Sequence, residues 1–179
     1  MNRVFSPQEF FPVPDGTLVS PFLNPMDLNS GFPRDLGATF SLAAGTIEAH
    51  VESKIHVHPH VVQVTYVIKG TLMIKLKDPS TEEPYELALE SAQAGVVEPG
   101  TFLQLINPGD LPASVLYIVG PPYVFEIDES GHVVYDDAVV LDQDWSQLSR
   151  LDWAPPELRE ESTGLAARQQ AIERIMSNV

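Results

Sequence analysis

Polar and apolar residues alternate with a period of two along most of the middle of this chain. Val62, Val64, Tyr66 and Ile68 interleave with Gln63, Thr65, Val67 and Lys69, and the same short rhythm returns in 71–78, 85–90, 95–107 and 114–120. Successive side chains of a strand point to opposite faces, so each run predicts a half-buried β-strand. Pro, Gly and Asp separate the runs at intervals of about 8 to 12 residues, which is the spacing of an antiparallel sandwich or barrel. A further hairpin is predicted in 123–137, where two alternating runs meet at Glu129-Ser130-Gly131. Earlier, 38–51 reads as strand material in which His50 and Glu52 share a parity and are expected to face solvent.

The two ends of the chain break this rhythm. Prolines at 7, 12, 14, 21, 25 and 33 forbid long helices in the first forty residues, because proline removes a donor and clashes one turn back. An extended arm is predicted there, carrying Phe5, Phe10 and Phe11 along the barrel or along a partner subunit. The acidic opening of 142–151 is a helix-start signal. In 155–179, Leu158, Leu165, Ile172, Ile175 and Met176 recur at near-helical spacing behind two prolines, predicting a C-terminal helix. The organisation expected is one globular domain: an arm over 1–40, a barrel over 41–140 and a helical extension over 141–179.

Composition narrows the partners. The 179 residues carry 25 acidic against 10 basic side chains, a formal charge of −15 that repels phosphate backbones and anionic membrane surfaces. Neither nucleic acid nor membrane is an expected partner, and no run of about 18 apolar residues suggests a span. A soluble, cytoplasmic protein is expected. There is no cysteine, so the metal ligands available are histidine, carboxylate and amide. Gly-rich phosphate loops, Gly-x-Ser-x-Gly elbows and His-Glu-x-x-His helices are missing from the sequence.

The chemistry gathers in 55–70, IHVHPHVVQVTYVIKG. His56 and His58, two residues apart on one strand, leave the backbone on the same side and can converge on one ion. Gln63 lies at the start of the returning strand, within reach of that pair. His60 shares their parity, but Pro59 starts a turn that takes it toward the barrel mouth, where a proton-transfer role suits an imidazole. Tyr66, Met73, Phe102, Leu105 and Tyr117 are candidates to line a cavity, Tyr66 with a catalytic role. Gln104 is expected to point away from it.

His56, His58, Gln63 and Gly70 hold the spacings of the first cupin motif: Gly, five residues, His-x-His, three or four residues, Glu, six residues, Gly. The second motif, Pro-x-Gly-x-x-His-x-x-x-Asn, is matched by 98–107, EPGTFLQLIN, with Gly100 and Asn107 in place. Gln63 replaces the usual glutamate, Leu103 the last histidine and Glu98 the proline, and the glycine that opens the second motif falls on Ala92. Over residues 40–125 the chain thus resembles the cupin superfamily, and in particular its small antibiotic-pathway, polyketide cyclase-like members. The resemblance implies an all-β fold, a cupin-type antiparallel β-barrel or jelly roll. It also implies one divalent ion, Zn, Fe, Ni or Mn, on His56, His58 and Gln63; cupins similar to uronate ring-opening enzymes use a glutamine there.

The function this implies is Lewis-acid cyclisation, isomerisation or dehydration of a small polyketide-like or oxo-acid substrate. A dioxygenase with a redox metal and a metal-free ligand-binding cupin are the alternatives. A homodimer is expected from the apolar arm and the amphipathic C-terminal helix.

Overall fold

The computed structural model describes residues 4–26, 39–78, 83–127 and 133–148. Thirteen strands make up the regular structure of these residues. In chain order they are β1 (Phe11–Pro12), β2 (Leu18–Leu23), β3 (Ser41–Ile47), β4 (His56–Val57), β5 (Val62–Lys69), β6 (Thr71–Lys77) and β7 (Tyr85–Glu90). There follow β8 (Ala94–Val97), β9 (Phe102–Ile106), β10 (Ala113–Gly120), β11 (Phe125–Ile127), β12 (Val133–Asp136) and β13 (Val139–Val140). A six-stranded sheet runs β1-β2-β3-β10-β5-β8, a five-stranded sheet runs β13-β4-β9-β6-β7, and β11 and β12 form a separate hairpin. All pairings are antiparallel. The predicted all-β barrel is what the chain folds into. The C-terminal helix expected over 155–179 lies outside the described residues.

The period-two pattern decides which side chains meet between the sheets. From the six-stranded sheet come Ile47, Val67, Val97, Val115, Tyr117 and Val119; from the five-stranded sheet come Leu72, Ile74, Leu76, Leu89, Leu103 and Leu105. Ile47, Val67, Ile74, Val115 and Leu103 are wholly buried, each burial contributing about 1.5–3 kcal/mol. A second cluster lies on the outer side of β4 and β9, where Ile55, Val57, Phe102, Val139, Leu141 and Leu148 pack with Trp145.

Two glycines of the cupin-like motifs have a backbone reason to be there. Gly70 turns β5 into β6 at φ 91°, and a Cβ there would come within 3.1 Å of the Ala113 backbone. Gly100, at φ 82°, donates its N–H to the His58 carbonyl at 2.9 Å and so ties the second motif to the first. Ala92, where the motif's glycine falls, adopts φ 68°.

Within the N-terminal arm, 11–23 is built into the six-stranded sheet. β2 pairs with β3 from Leu18↔Thr46 to Leu23↔Leu42, and its register shifts after Pro21, which lies beyond the reach of β1 and so needs no donor on that side. His50 and Glu52 are in contact with solvent as expected, His50 Nε2 lying 3.1 Å from Asp110 Oδ1.

Candidate functional site

Beyond Leu105, Tyr117 and Val119, which also belong to the core, the barrel interior opens into a cavity of about 900 Å³. Its polar wall carries His56, His58, Gln63, Asp15, Tyr123 and Asp136. The three residues expected to hold an ion therefore line one cavity, the histidines from the five-stranded sheet and Gln63 from the six-stranded one.

The two histidines reach it from β4 and the residue just beyond it, both more than nine-tenths buried, with ring centroids 5.1 Å apart in an edge-to-face arrangement. His56 donates from Nδ1 to the Lys54 carbonyl at 3.0 Å, and His58 from Nδ1 to the Asp137 carbonyl at 3.3 Å. Each bond fixes a ring and leaves Nε2 as the nitrogen with a lone pair, the disposition of metal-ligating histidines. Nε2 of His58 is buried with no hydrogen-bond partner. Burial, followed by the neighbouring His56, pushes the His58 pKa down to about 3, so its ring is neutral at physiological pH. Gln63 is buried on β5 of the other sheet, its Nε2 donating to Thr65 Oγ1 at 3.3 Å, which leaves the amide oxygen as its ligating atom.

The donor set thus fits a divalent ion held by two imidazoles and an amide. Among the described residues no group of three or more His, Asp or Glu side chains could hold a metal. Leu103, at the position of the usual fourth ligand, is wholly buried in the core and pairs directly with His56.

The remaining expected site residues fall elsewhere. On β5 the inward parity is Gln63, Thr65 and Val67, which turns Tyr66 to the outer face, away from the cavity. His60 is buried in the bend after His58 and is not among the residues that line the cavity. Leu105 and Tyr117 line the cavity; Met73 and Phe102 do not. Gln104 points away from it, donating to the Ser53 carbonyl at 2.8 Å and accepting from Trp145 Nε1 at 2.6 Å.

Three cavity residues had not been expected. Asp15 comes from the turn between β1 and β2, where its Oδ1 accepts from the Thr17 N–H and hydroxyl at 2.9 and 2.8 Å and its Oδ2 lies 3.8 Å from His56 Nδ1. Tyr123 packs edge-on against His58 with centroids 5.6 Å apart and donates its hydroxyl to Asp136 Oδ1. Asp136 also accepts from the Ala138 N–H at 3.1 Å. Burial pushes its carboxyl up to about 7, against the hydrogen bonds from Tyr123 and Ala138. The only sequence signal for these three was their place beside turns, which does not distinguish a cavity residue from a loop residue.

No protein-family model and no curated protein matches the chain. Solved structures do. An oxalate decarboxylase of Lactobacillus farciminis, in a formate complex, superposes with a TM-score of 0.53 at 18% identity, covering 76% of this chain and 33% of that one. The Staphylococcus aureus capsular polysaccharide assembling protein CapF gives 0.52 at 15% identity, covering 79% and 32%. Drosophila melanogaster CENP-C bound to CAL1 gives 0.51 at 14% identity, covering 63% and 79%. The chain spans about a third of the length of the first two. At such identities the likeness speaks for the architecture alone: the chain has the cupin fold, a double-stranded β-helix.

Proposed function

We propose that this protein is a metal-dependent cupin enzyme acting on a small organic substrate in the barrel cavity. The observation that carries this reading is His58 Nε2, a buried lone pair without a partner in the cavity that His56 and Gln63 also line. A neutral polar atom so enclosed is costly unless something binds it. His56 and His58 would hold the ion through Nε2 and Gln63 through its amide oxygen. Bound there, a divalent ion supplies Lewis-acid polarisation of a substrate oxygen.

The rest of the chemistry belongs to the chain. Val19, Leu105, Tyr117 and Val119 exclude water around a substrate's apolar body. His60 and Tyr66 stand off the wall, and the groups placed to hold or move a proton are the Tyr123 hydroxyl and the Asp136 carboxyl that accepts from it. This arrangement suits isomerisation, cyclisation or dehydration of a carbonyl compound, in which a proton leaves one atom and returns to another. Calorimetric titration with Zn, Fe(II), Ni and Mn tests the site: about one ion per chain is expected, with His58→Ala abolishing it. Absence of binding by the parent protein for all four metals refutes the metalloenzyme reading.

A metal-free ligand-binding cupin is the second reading, favoured by Leu103, whose apolar side chain stands opposite His56. The same titration separates the two.

A homodimer forms part of the proposal. Its support is the outer face of the six-stranded sheet, where Ile118, Val64 and Val96 stand in one row across β10, β5 and β8, and Leu116, Tyr66 and Ala94 in the next. Ile68 and Val96 are more than half exposed there. An apolar sheet face of this kind is what a second subunit covers.

A further inference from the structure

Among the described residues that line the cavity there is no lysine and no arginine. An oxo-acid or any other anionic substrate therefore finds no side-chain cation there, and the wall carries Asp15 and Asp136 instead. Each carboxylate uses Oδ1 for two donors, and the two differ in what stands near Oδ2. Asp15 gives Oδ1 to the Thr17 N–H and hydroxyl, and its Oδ2 lies 3.8 Å from His56 Nδ1. Asp136 uses Oδ1 for Tyr123 and Ala138, and among the described residues nothing hydrogen-bonds its Oδ2.

Aromatic residues stand near Asp136, Phe125 directly opposite it in the pairing of β11 with β12. Tyr123 is its hydrogen-bond partner, and Phe11 and Phe125, stacked with centroids 6.2 Å apart, line the same cavity. A carboxylate flanked by aromatic faces is a receptor for an organic cation, because the rings attract positive charge and the carboxylate neutralises it. The buried and unpartnered His58 Nε2 points to an occupant on this side of the cavity, and Tyr123 touches both His58 and Asp136.

We infer that the substrate carries a protonated amine, which docks on Asp136 between Phe11, Tyr123 and Phe125 while its reacting end faces the histidines. This rests on the cavity being the substrate site, as in the function proposed above. A carboxyl that burial holds near neutrality is also one that a docking ammonium group would favour in its charged form.

Three near-isosteres serve as probes: phenethylamine, phenethyl alcohol and hydrocinnamate, which offer the same ring with a cationic, a neutral and an anionic end. Calorimetry with the full chain, with and without Zn, should show the amine binding at least about tenfold tighter than either of the others. Asp136→Asn, which keeps an acceptor for Ala138 and the shape of the site, should erase that preference and leave alcohol binding unchanged. Tyr123→Phe keeps the aromatic wall and should retain the preference, guarding against a result that merely reports a disturbed Asp136 variant. Equal or tighter binding of hydrocinnamate, a preference that survives Asp136→Asn, or no binding of any probe overturns the inference. Zn binding without amine selection would leave the metalloenzyme reading intact and remove only this one. Amine selection without Zn binding would do the reverse.

Discussion

His56 and Leu103 stand directly opposite one another in the antiparallel pairing of β4 with β9. Residues so paired project to the same face of a sheet, with Cβ atoms about 4.5–5.5 Å apart. A histidine at 103 would therefore stand beside His56 and face the barrel interior with it. Leu103→His is expected to raise Zn affinity by at least about tenfold by adding a ligand to the two imidazoles and the amide. The metal-free protein should lose about 1–3 kcal/mol, since a polar ring replaces a wholly buried leucine. Titration calorimetry and denaturant unfolding measure the two effects separately, and an unchanged affinity would show that His56 does not face an ion.

Asn107 closes the second cupin-like motif for a structural reason. Its amide nitrogen donates to the carbonyls of Ile47 at 2.9 Å and Leu111 at 2.9 Å, and its oxygen accepts from the Gly109 N–H at 2.9 Å. The side chain is 1% exposed, so no water can take over these bonds. Asn107→Ala should cost about 2–4 kcal/mol, because three backbone groups of two segments lose a buried partner at once. A lower denaturation midpoint with an unchanged slope is the expected signature. Metal affinity should hold, since Asn107 is not on the cavity wall.

The sequence made the barrel legible because its information is local. Alternation in 62–69, 71–77 and 113–120 sets strand and face together, and the His-x-His spacing puts both rings on one wall whatever the rest of the chain does. What escaped was information about faces and about distance along the chain. The outward parity of β5, Val62, Val64, Tyr66 and Ile68, is more apolar than the inward Gln63, Thr65 and Val67, so hydrophobicity alone points Tyr66 the wrong way. Asp15 and Asp136 are separated from the histidines by dozens of residues, and only the pairing of β2 with β3 and of β13 with β4 brings them to the cavity. For residues 4–26 the prolines point to the extended conformation that is found, but not to its place as part of the six-stranded sheet.

Tyr66 has its consequence on the outer face instead. If a second subunit covers the rows that include Val64, Tyr66 and Val96, a charge placed among them will be desolvated on association and will oppose it. Val96→Lys is expected to convert a dimer into a monomer of 19.7 kDa by light scattering. Val96 is 57% exposed, so the fold itself should change by no more than about 0.5 kcal/mol. A parent protein that already runs as a monomer at tens of micromolar would rule the dimer out.

His58 and Asp136 give the metal-free protein two opposed pH dependences. The His58 pKa falls from 6.5 to about 3 on folding, so between these values the unfolded chain binds the proton and the native chain does not. Stability from this group rises with pH across that window and is lost toward acid. The Asp136 pKa rises from 3.8 to about 7, so between these values the native chain holds the proton and the unfolded chain has released it. Stability from this group falls as pH rises. Between 3.8 and 6.5 the two slopes oppose each other, and each is bounded by about 1.4 kcal/mol per pH unit for one proton. Substitution should uncover them one at a time. Relative to the parent protein, Asp136→Asn should gain stability as pH rises from 3.8 to about 7, because it removes the falling component. His58→Asn, whose amide can still donate to the Asp137 carbonyl, should lose relative stability as pH rises from about 3 to 6.5. Urea unfolding at half-unit pH steps in the presence of a chelator resolves these differences. Parallel profiles for all three proteins would mean that neither group changes its proton affinity on folding.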